Sequence, residues 1–307
     1  MKRLGIFSAL GAPKLQFEAA YQIHLLREVR AHVSELIVVS HITRDDDAFA
    51  EVSKIADRII NPEVPALRST MEGHKMALDA LGRSGLGAFD EVLMFDATNY
   101  GPVVDLGELF ARMGEVDCDF WSVNHYRPLK DNRIDEGFTA EVLPKIDFCL
   151  FRRSAIDRPE FARAWADISP QPDYFRNMVK NELTLMHRLV VAGLTPGFAI
   201  DPDLMKTMEP GMTEVIPMLE AGSPLVAKNS FMLDPIVSEM QALDGRMVLD
   251  WLTTRTAYDT GLIWDSIIDK YPLRQIHTNL EEIRVIDDGP LPAEKESWSF
   301  GKIAVMA

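Results

Sequence analysis

The chain has 307 residues, of which 47% are hydrophobic and 26% charged, the composition of a soluble globular protein with material for a large core. Its formal net charge of −15 argues against nucleic acid as the main partner, because phosphate binding needs clustered lysine and arginine. No apolar stretch approaches the roughly 20 residues that span a bilayer. The two cysteines lack metal or redox spacing. We therefore expect reduced thiols and a cytoplasmic protein whose contact with a membrane is at most peripheral, at its inner face.

Strands and helices alternate along the N-terminal part of the chain. Short apolar runs predict strands at residues 4–9, 36–39, 58–60 and from 91 onward. Apolar residues at helical spacing predict helices at residues 15–33, 45–56 and 69–81. This alternation is typical of a βαβ sheet with right-handed connections. The absence of a GxGxxG after the first strand and of a GxxxxGK(S/T) argues against a dinucleotide-binding oxidoreductase and a P-loop NTPase.

The fourth predicted strand carries the most informative polar residues. The apolar run 92–95 ends abruptly at Asp96, and Thr98 and Asn99 follow before the chain turns at residues 101–102. Ligands of open α/β sheets bind beyond the carboxyl ends of the strands. We therefore expect Asp96 at the carboxyl end of a central strand, facing an open cleft. The alternative is that Asp96 only begins a turn or caps the next helix.

The second half of the chain continues the pattern with longer helices. Further strands are predicted at residues 120–123 and 146–151, and helices at 106–113, 161–168 and 174–192, the last ending at Gly193. The polar stretch 125–139 is either a functional lid or a solvated loop. Residues 234–269 are predicted to be mostly helical, followed by a loosely held tail.

Five segments of the chain stand out together: Phe89-Asp-Glu-Val-Leu-Met-Phe-Asp-Ala-Thr-Asn-Tyr-Gly-Pro102, Cys118-Asp-Phe-Trp121, Ala56-Asp-Arg-Ile-Ile-Asn61, Asp147-Phe-Cys-Leu-Phe151 and Gly222-Ser-Pro-Leu-Val-Ala-Lys228. In sequence and in order along the chain, they resemble the rhamnan synthesis protein F family of bacterial glycosyltransferases. The resemblance implies a GT-A-like (Rossmann-like) α/β fold, a mostly parallel sheet with flanking helices. Residues 1–233 would form the nucleotide-sugar-binding domain, and residues 234–307 a helical C-terminal segment packed on it.

The chain departs from the family pattern near the expected sugar-nucleotide pocket. The family has Asn and Ser where Phe95 and Ala97 stand, and Gln-Ser where Lys145-Ile146 stand. Its Asp-Phe-Gly-Ala element is replaced by residues 66–73. These departures keep open the alternative of a non-catalytic relative that serves as a partner or scaffold in polysaccharide assembly.

The resemblance implies transfer of a sugar, rhamnose or another hexose, from a nucleoside-diphosphate donor to a glycan or lipid-linked glycan acceptor at the cell surface. An inverting transferase needs a carboxylate base for the acceptor hydroxyl. Glu182 is our first choice and Asp147 the second. The alternative for Glu182 is an exposed helix residue paired with Lys180 or Arg188. The residues expected to bind the donor are Asp96, Thr98, Asn99, Asn61, Lys75 and Lys228.

A divalent cation often neutralises the departing diphosphate in such enzymes. Asp96 and Thr98 offer one acid and one hydroxyl, so we expect Mg²⁺ or Mn²⁺ to bind weakly at Asp96 and only together with the nucleotide. The alternative is a metal-free site in which Arg68, Lys75 and Lys228 neutralise the diphosphate. The sequence leaves the oligomeric state open.

Overall fold

A seven-stranded sheet forms the centre of the protein. The computed structural model describes residues 1–9, 19–42, 44, 47–62, 69–127, 138–172, 174–231 and 245–268. The strands in these residues are β1 (Arg3–Ser8), β2 (Glu35–Val39), β3 (Arg58–Ile60), β4 (Glu91–Asp96), β5 (Asn99–Tyr100), β6 (Phe120–Ser122), β7 (His125–Tyr126), β8 (Leu143–Pro144), β9 (Phe148–Arg152), β10 (Pro196–Phe198) and β11 (Val226–Ala227). The sheet has the order β10-β6-β9-β4-β1-β2-β3, and two ribbons pair β5 with β11 and β7 with β8.

Helices connect the strands of the sheet and cover it. They are α1 (Ala19–Arg30), α2 (Asp47–Ile55), α3 (Thr70–Leu86), α4 (Leu106–Gly114), α5 (Arg153–Ile156), α6 (Pro159–Ala166), α7 (Tyr174–Asn177), α8 (Thr184–Val191), α9 (Pro210–Thr213), α10 (Val215–Glu220), α11 (Gly245–Arg255) and α12 (Gly261–Ile268). A π-helical turn, Met178–Leu183, joins α7 to α8.

The strand β4 is the middle strand of the sheet, and all six of its residues are buried. Its neighbour β1 runs parallel to it, whereas β9 runs antiparallel to both β4 and β6. The other pairs in the sheet are parallel. A strand with apolar packing on both faces needs a continuous apolar run, and this is the pattern of residues 92–95.

Helices pack on both faces of the sheet. Met94 faces α3, α6 and α8 in one cluster of buried side chains, together with Leu78, Phe161 and Leu189. Phe95 points to the opposite face and packs with α1, α2 and α4 through Leu25, Val52 and Leu109. The predicted fold class, a mostly parallel sheet with flanking helices, is confirmed.

Two helices carry features that bear on the site or on the sequence prediction. Ser69 caps α3 through a capping box with Glu72, at the predicted start of the helix. The regular part of α3 stops as predicted at Gly82, whose φ of +61° and ψ of 176° are not helical, and a second short helical stretch continues to Leu86. The helix predicted at 174–192 contains the π-helical turn and ends as expected, with Gly193 at φ of +87°. The wider turn buries two consecutive polar residues, Asn181 and Glu182.

The C-terminal helices α11 and α12 pack against α1 and the β5 ribbon. Their buried residues, among them Leu252 and Ile263, form one cluster with Tyr21, Tyr100 and Val215. Residues 232–244 lie outside the described part of the chain, so the predicted boundary after residue 233 stays a prediction. The predicted tail, most of the stretch 125–139 and Arg68 also lie outside the described residues. Among the helices that the structure describes, none has the length and apolar content to cross a bilayer.

Candidate active site

Asp96 lies at the carboxyl end of the central strand, as predicted, but it does not face an open cleft. Its side chain is only 2% exposed. Its Oδ1 accepts hydrogen bonds from the Thr98 backbone nitrogen (2.9 Å) and the Thr98 hydroxyl (2.5 Å). The expectation of an open cleft is therefore wrong, because the Asp96 carboxylate is buried. Asp96 does begin a turn, and whether it also binds a ligand stays a prediction.

Asp147 lies directly opposite Asp96. Phe95 pairs with Phe148 in antiparallel strands. Asp96, which follows Phe95, therefore lies opposite Asp147, which precedes Phe148, at the same edge of the sheet. The Asp96 backbone nitrogen donates to the Asp147 carbonyl at 3.3 Å. Burial raises the pKa of Asp96 to about 7, and the nearby Asp147 carboxylate contributes to the increase.

The two oxygens of the Asp147 carboxylate have different surroundings. Oδ2 accepts from Asn124 Nδ2 at 2.9 Å and lies 3.6 Å from Lys145 Nζ. Oδ1 is buried and has no hydrogen-bond partner among the described residues. A buried carboxylate oxygen without a partner is costly, so such an atom points to a ligand or a reaction that uses it.

Glu182 is buried next to this pair and makes two specific hydrogen bonds. Its Oε1 accepts from the Ile146 backbone nitrogen at 2.8 Å, and its Oε2 accepts from the Tyr126 hydroxyl at 3.0 Å. The alternative of an exposed glutamate is wrong, since the residue is 6% exposed. Burial raises the pKa of Glu182 to about 8, although Lys145 acts in the opposite direction. At neutral pH the carboxyl group is therefore mostly protonated.

Lys145 supplies positive charge among these acids. Its Nζ lies 2.6 Å from Glu209 Oε1 and 5.2 Å from the centre of the Tyr126 ring. In the sequence, Lys145 stands out only as a departure from the family pattern, and Asn124, Tyr126 and Glu209 are not predicted as site residues. No local spacing links these residues, because they come together only through the pairing of β7 with β8 and the approach of α9.

Lys228 joins the Asp96 turn from the other side. Its backbone nitrogen donates to the Thr98 carbonyl at 2.8 Å, since Ala227 pairs with Asn99 in the β5–β11 ribbon. The ammonium group is buried, 5.1 Å from the centre of the Tyr21 ring and 3.4 Å from the Tyr21 hydroxyl. The structure thus brings Asp96, Thr98, Asn99 and Lys228 together.

Two predicted donor-binding residues lie elsewhere. Lys75 Nζ contacts the carbonyls of Trp165 and Ala166, at the end of α6, and Asp79 on its own helix. Asn61 follows β3, three strands away from β4, and its side-chain nitrogen donates to the Ile42 carbonyl at 3.1 Å. Strands lie about 4.8 Å apart, which places Asn61 on the order of 14 Å from the Asp96 strand.

The protein ligands available to a cation are few. Within the described ranges, no group of three His, Cys, Asp or Glu side chains converges as a metal-ligand set. Asp96 provides one carboxylate, and the Thr98 hydroxyl donates its proton to that carboxylate. Magnesium is often held by one or two carboxylates together with substrate phosphates and water. The residues fit a cation only if the nucleotide supplies the remaining ligands.

Comparison with solved structures gives distant similarities. They include 4-diphosphocytidyl-2C-methyl-D-erythritol synthase, 14% identical over 72% of this chain and 99% of that chain, with a TM-score of 0.39. A nucleoside-diphosphate-sugar pyrophosphorylase from Vibrio cholerae RC9 is 12% identical over 64% of this chain and 90% of that chain, with a TM-score of 0.37. Glucosyl-3-phosphoglycerate synthase from Mycobacterium tuberculosis, in complex with Mn²⁺, UDP-glucose and phosphoglyceric acid, is 16% identical over 50% of this chain and 57% of that chain, with a TM-score of 0.31. Scores this low carry no argument about ligands or activity.

The family assignment comes from the sequence itself. No curated protein matches the chain. The family model of rhamnan synthesis protein F matches residues 36–295, which includes β3 to β11, nearly all of β2 and every predicted site residue. The chain therefore belongs to the rhamnan synthesis protein F family.

Proposed function

We propose that the protein transfers a sugar, rhamnose or another hexose, from a nucleoside-diphosphate donor to a glycan or lipid-linked glycan acceptor of a cell-surface polysaccharide. Membership in a rhamnan synthesis family over residues 36–295 supports the reaction class. The observation that carries the site is the facing pair Asp96 and Asp147, with a buried Asp147 oxygen that has no partner among the described residues.

The reaction needs a base at the acceptor hydroxyl. As the acceptor oxygen forms a bond to the anomeric carbon, the bond from that carbon to the diphosphate oxygen breaks, and the hydroxyl proton passes to the base. Asp147 is suited to this role, because Asn124 and Lys145 hold Oδ2 and leave Oδ1 for the proton. We therefore rank Asp147 ahead of Glu182. Glu182 is mostly protonated at neutral pH, and its two hydrogen bonds suit it to positioning Tyr126 and Ile146.

The leaving diphosphate needs positive charge at the moment of departure. Lys228 provides an ammonium group next to the Asp96 turn. A divalent cation, Mg²⁺ or Mn²⁺, would be held by Asp96 and the diphosphate oxygens and would add positive charge there. Asp96 also holds Thr98, and through it Asn99, in place around the site.

Turnover of a panel of nucleotide sugars, measured as release of the nucleoside diphosphate with and without glycan acceptors, tests the proposal. Asp147→Asn and Asp96→Ala should each lower the rate about 10²–10⁴-fold with the fold intact. Asp117→Asn, at an exposed position, is the matched control. Wild-type turnover in Asp147→Asn would remove this residue from the mechanism.

The same assay decides the role of Glu182. Glu182→Ala removes both hydrogen bonds and should lower transfer strongly, whereas Glu182→Gln keeps groups that can make them and should retain most of the rate. A loss of about 10²-fold or more in Glu182→Gln would restore Glu182 as the base.

A non-catalytic partner or scaffold is the second candidate. The observation that favours it is the closure of the acidic site, where Asp96, Asp147 and Glu182 are 2%, 3% and 6% exposed. A protein of this kind would show no turnover with any donor and acceptor in the panel. Thermal stabilisation by a nucleotide would then identify ligand binding without catalysis.

A further inference from the structure

Tyr21 and Gln22, on the first turn of α1, form a hydrogen-bonded group with Lys228. The Tyr21 hydroxyl donates its single proton to the Ala97 carbonyl at 2.7 Å. It must therefore accept from both Gln22 Nε2, at 3.1 Å, and Lys228 Nζ, at 3.4 Å. This arrangement fixes the orientation of the Gln22 amide. Its carbonyl oxygen, Oε1, is buried and has no hydrogen-bond partner among the described residues.

Asn99 is oriented by the same logic. The Thr98 hydroxyl donates its proton to Asp96 Oδ1 at 2.5 Å, so it accepts from Asn99 Nδ2 at 3.3 Å. The Asn99 carbonyl oxygen, Oδ1, is then the free group, and it also has no partner within the described part of the chain. Gln22 and Asn99 are 3% and 1% exposed, so bulk solvent does not reach these two oxygens.

The two amides are each connected to Lys228 through an intervening group. Gln22 reaches the ammonium group through the Tyr21 hydroxyl, and Asn99 pairs with Ala227, the residue before Lys228. Buried acceptors without partners are rare in folded proteins and destabilise them. Two such acceptors next to one buried ammonium group therefore indicate a binding site whose ligand supplies the missing donors.

The chemistry of the atoms restricts the ligand group to a hydrogen-bond donor, and a nucleotide sugar carries hydroxyl donors next to its diphosphate. A carbonyl oxygen cannot hydrogen-bond to an ionised phosphate oxygen, because both are acceptors, whereas a hydroxyl group can donate to it. An ammonium group, in contrast, binds phosphate directly. We propose that Gln22 Oε1 and Asn99 Oδ1 recognise hydroxyl groups of a nucleoside-diphosphate donor while Lys228 holds its diphosphate. This inference rests on the proposed function for the identity of the donor. The hydroxyls belong to the ribose or to the transferred sugar.

Binding measurements with matched ligands test the assignment. The probes are UDP, GDP and CDP, their 2′-deoxy forms, the corresponding nucleotide sugars and inorganic pyrophosphate, titrated calorimetrically into the wild type and single variants. Gln22→Met and Asn99→Leu should weaken binding of a hydroxyl-bearing probe about tenfold or more and leave pyrophosphate binding unchanged. Lys228→Met should weaken both. Gln171→Met, at a residue that contacts Ser169, is the matched control and should match the wild type.

The probes separate the two sources of the hydroxyl. If the ribose is recognised, the wild type prefers UDP to its 2′-deoxy form and the variants lose the preference. If the sugar is recognised, only the nucleotide sugars lose affinity. Wild-type affinities of Gln22→Met and Asn99→Leu for every probe would overturn the inference, as would failure of the wild type to bind any probe.

The free-protein stability gives an independent signature. Gln22→Met and Asn99→Leu each remove one unsatisfied acceptor together with one hydrogen bond, to Tyr21 or to Thr98, so the thermal midpoint of the ligand-free protein should change little. A residue with a purely structural role would lower it instead. If the variants change binding as expected but the protein transfers no sugar, the proposed function fails and this inference stands. If the protein transfers sugar and both variants bind every probe with wild-type affinity, only this inference fails.

Discussion

Glu182→Gln should stabilise the protein at high pH and change its stability little at low pH. The pKa of this carboxyl is about 8 in the folded protein, against 4.5 for the ordinary group, because burial disfavours the charged form. The folded state therefore holds a proton that the unfolded state has released across this interval. Since the folded state binds more protons, the stability due to this group is complete below pH 4.5 and is lost as pH rises toward 8. Glutamine mimics the protonated acid and does not titrate.

The size of the effect follows from the two pKa values. Each pH unit between them changes the free energy of unfolding by about 1.4 kcal/mol. Between pH 5 and pH 8 the wild type should lose about 3.5 kcal/mol of stability relative to Glu182→Gln, which is less than three full pH units would give because the titration is incomplete at both ends. The amide keeps an acceptor for the Ile146 nitrogen and a polar group for the Tyr126 hydroxyl, so the difference near pH 5 should be small.

Urea unfolding of both proteins at pH 5, 6, 7 and 8 measures the difference directly. Comparing the two proteins at each pH cancels the titration of every other group that they share. Glu108→Gln, the same substitution at an exposed position on α4, controls for the substitution itself. A difference that stays flat from pH 5 to 8, or that grows toward low pH, would mean that Glu182 is ionised in the folded protein. One of the two reasons for ranking Asp147 ahead of Glu182 as the base would then be lost.

Two further perturbations concern the cation and the packing around Asp147. Calorimetric titration with Mg²⁺ or Mn²⁺ should show binding only when a nucleoside diphosphate is present, and Asp96→Ala should abolish that binding. If the nucleotide-free protein instead binds the cation with micromolar affinity, and Asp96→Ala loses this binding, the protein alone holds a complete metal site. Gly211→Ala should lower kcat with an unchanged circular dichroism spectrum, because the new Cβ would lie 2.6 Å from Asn124 Oδ1 and displace the amide that holds Asp147. Gly114→Ala, whose Cβ meets no atom within 4 Å, should match the wild type, and equal kcat values for both variants would show that Asn124 is not needed.

The sequence predicts the strands and the position of Asp96 well because their signals are local. A continuous apolar run that stops at a polar residue indicates a buried strand and its carboxyl end, and β4 has both features. The family resemblance correctly assigns the chain, since it depends on the order of segments rather than on contacts.

The surroundings of the acids could not be predicted, because they depend on contacts between distant segments. Lys145 meets Glu209 from 64 residues away, and Glu182 meets Tyr126 from 56 residues away. Helical spacing gave no sign that Glu182 points inward, because the π-helical turn changes which residues face the core. The closure over Asp96 is equally nonlocal, as the β5–β11 ribbon brings Lys228 against Thr98.

The reversed direction of β9 makes the acidic pair depend on strand register. Asp147 immediately precedes the first residue of β9, and only an antiparallel β9 places that end beside the last residue of β4. Side chains alternate between faces along a strand, so a one-residue slip of β9 would turn Asp147 to the other face of the sheet. A single residue inserted between Asp147 and Phe148 would therefore separate the acids while the rest of the sheet stays paired. Turnover and thermal stability of that insertion variant would test this dependence on register.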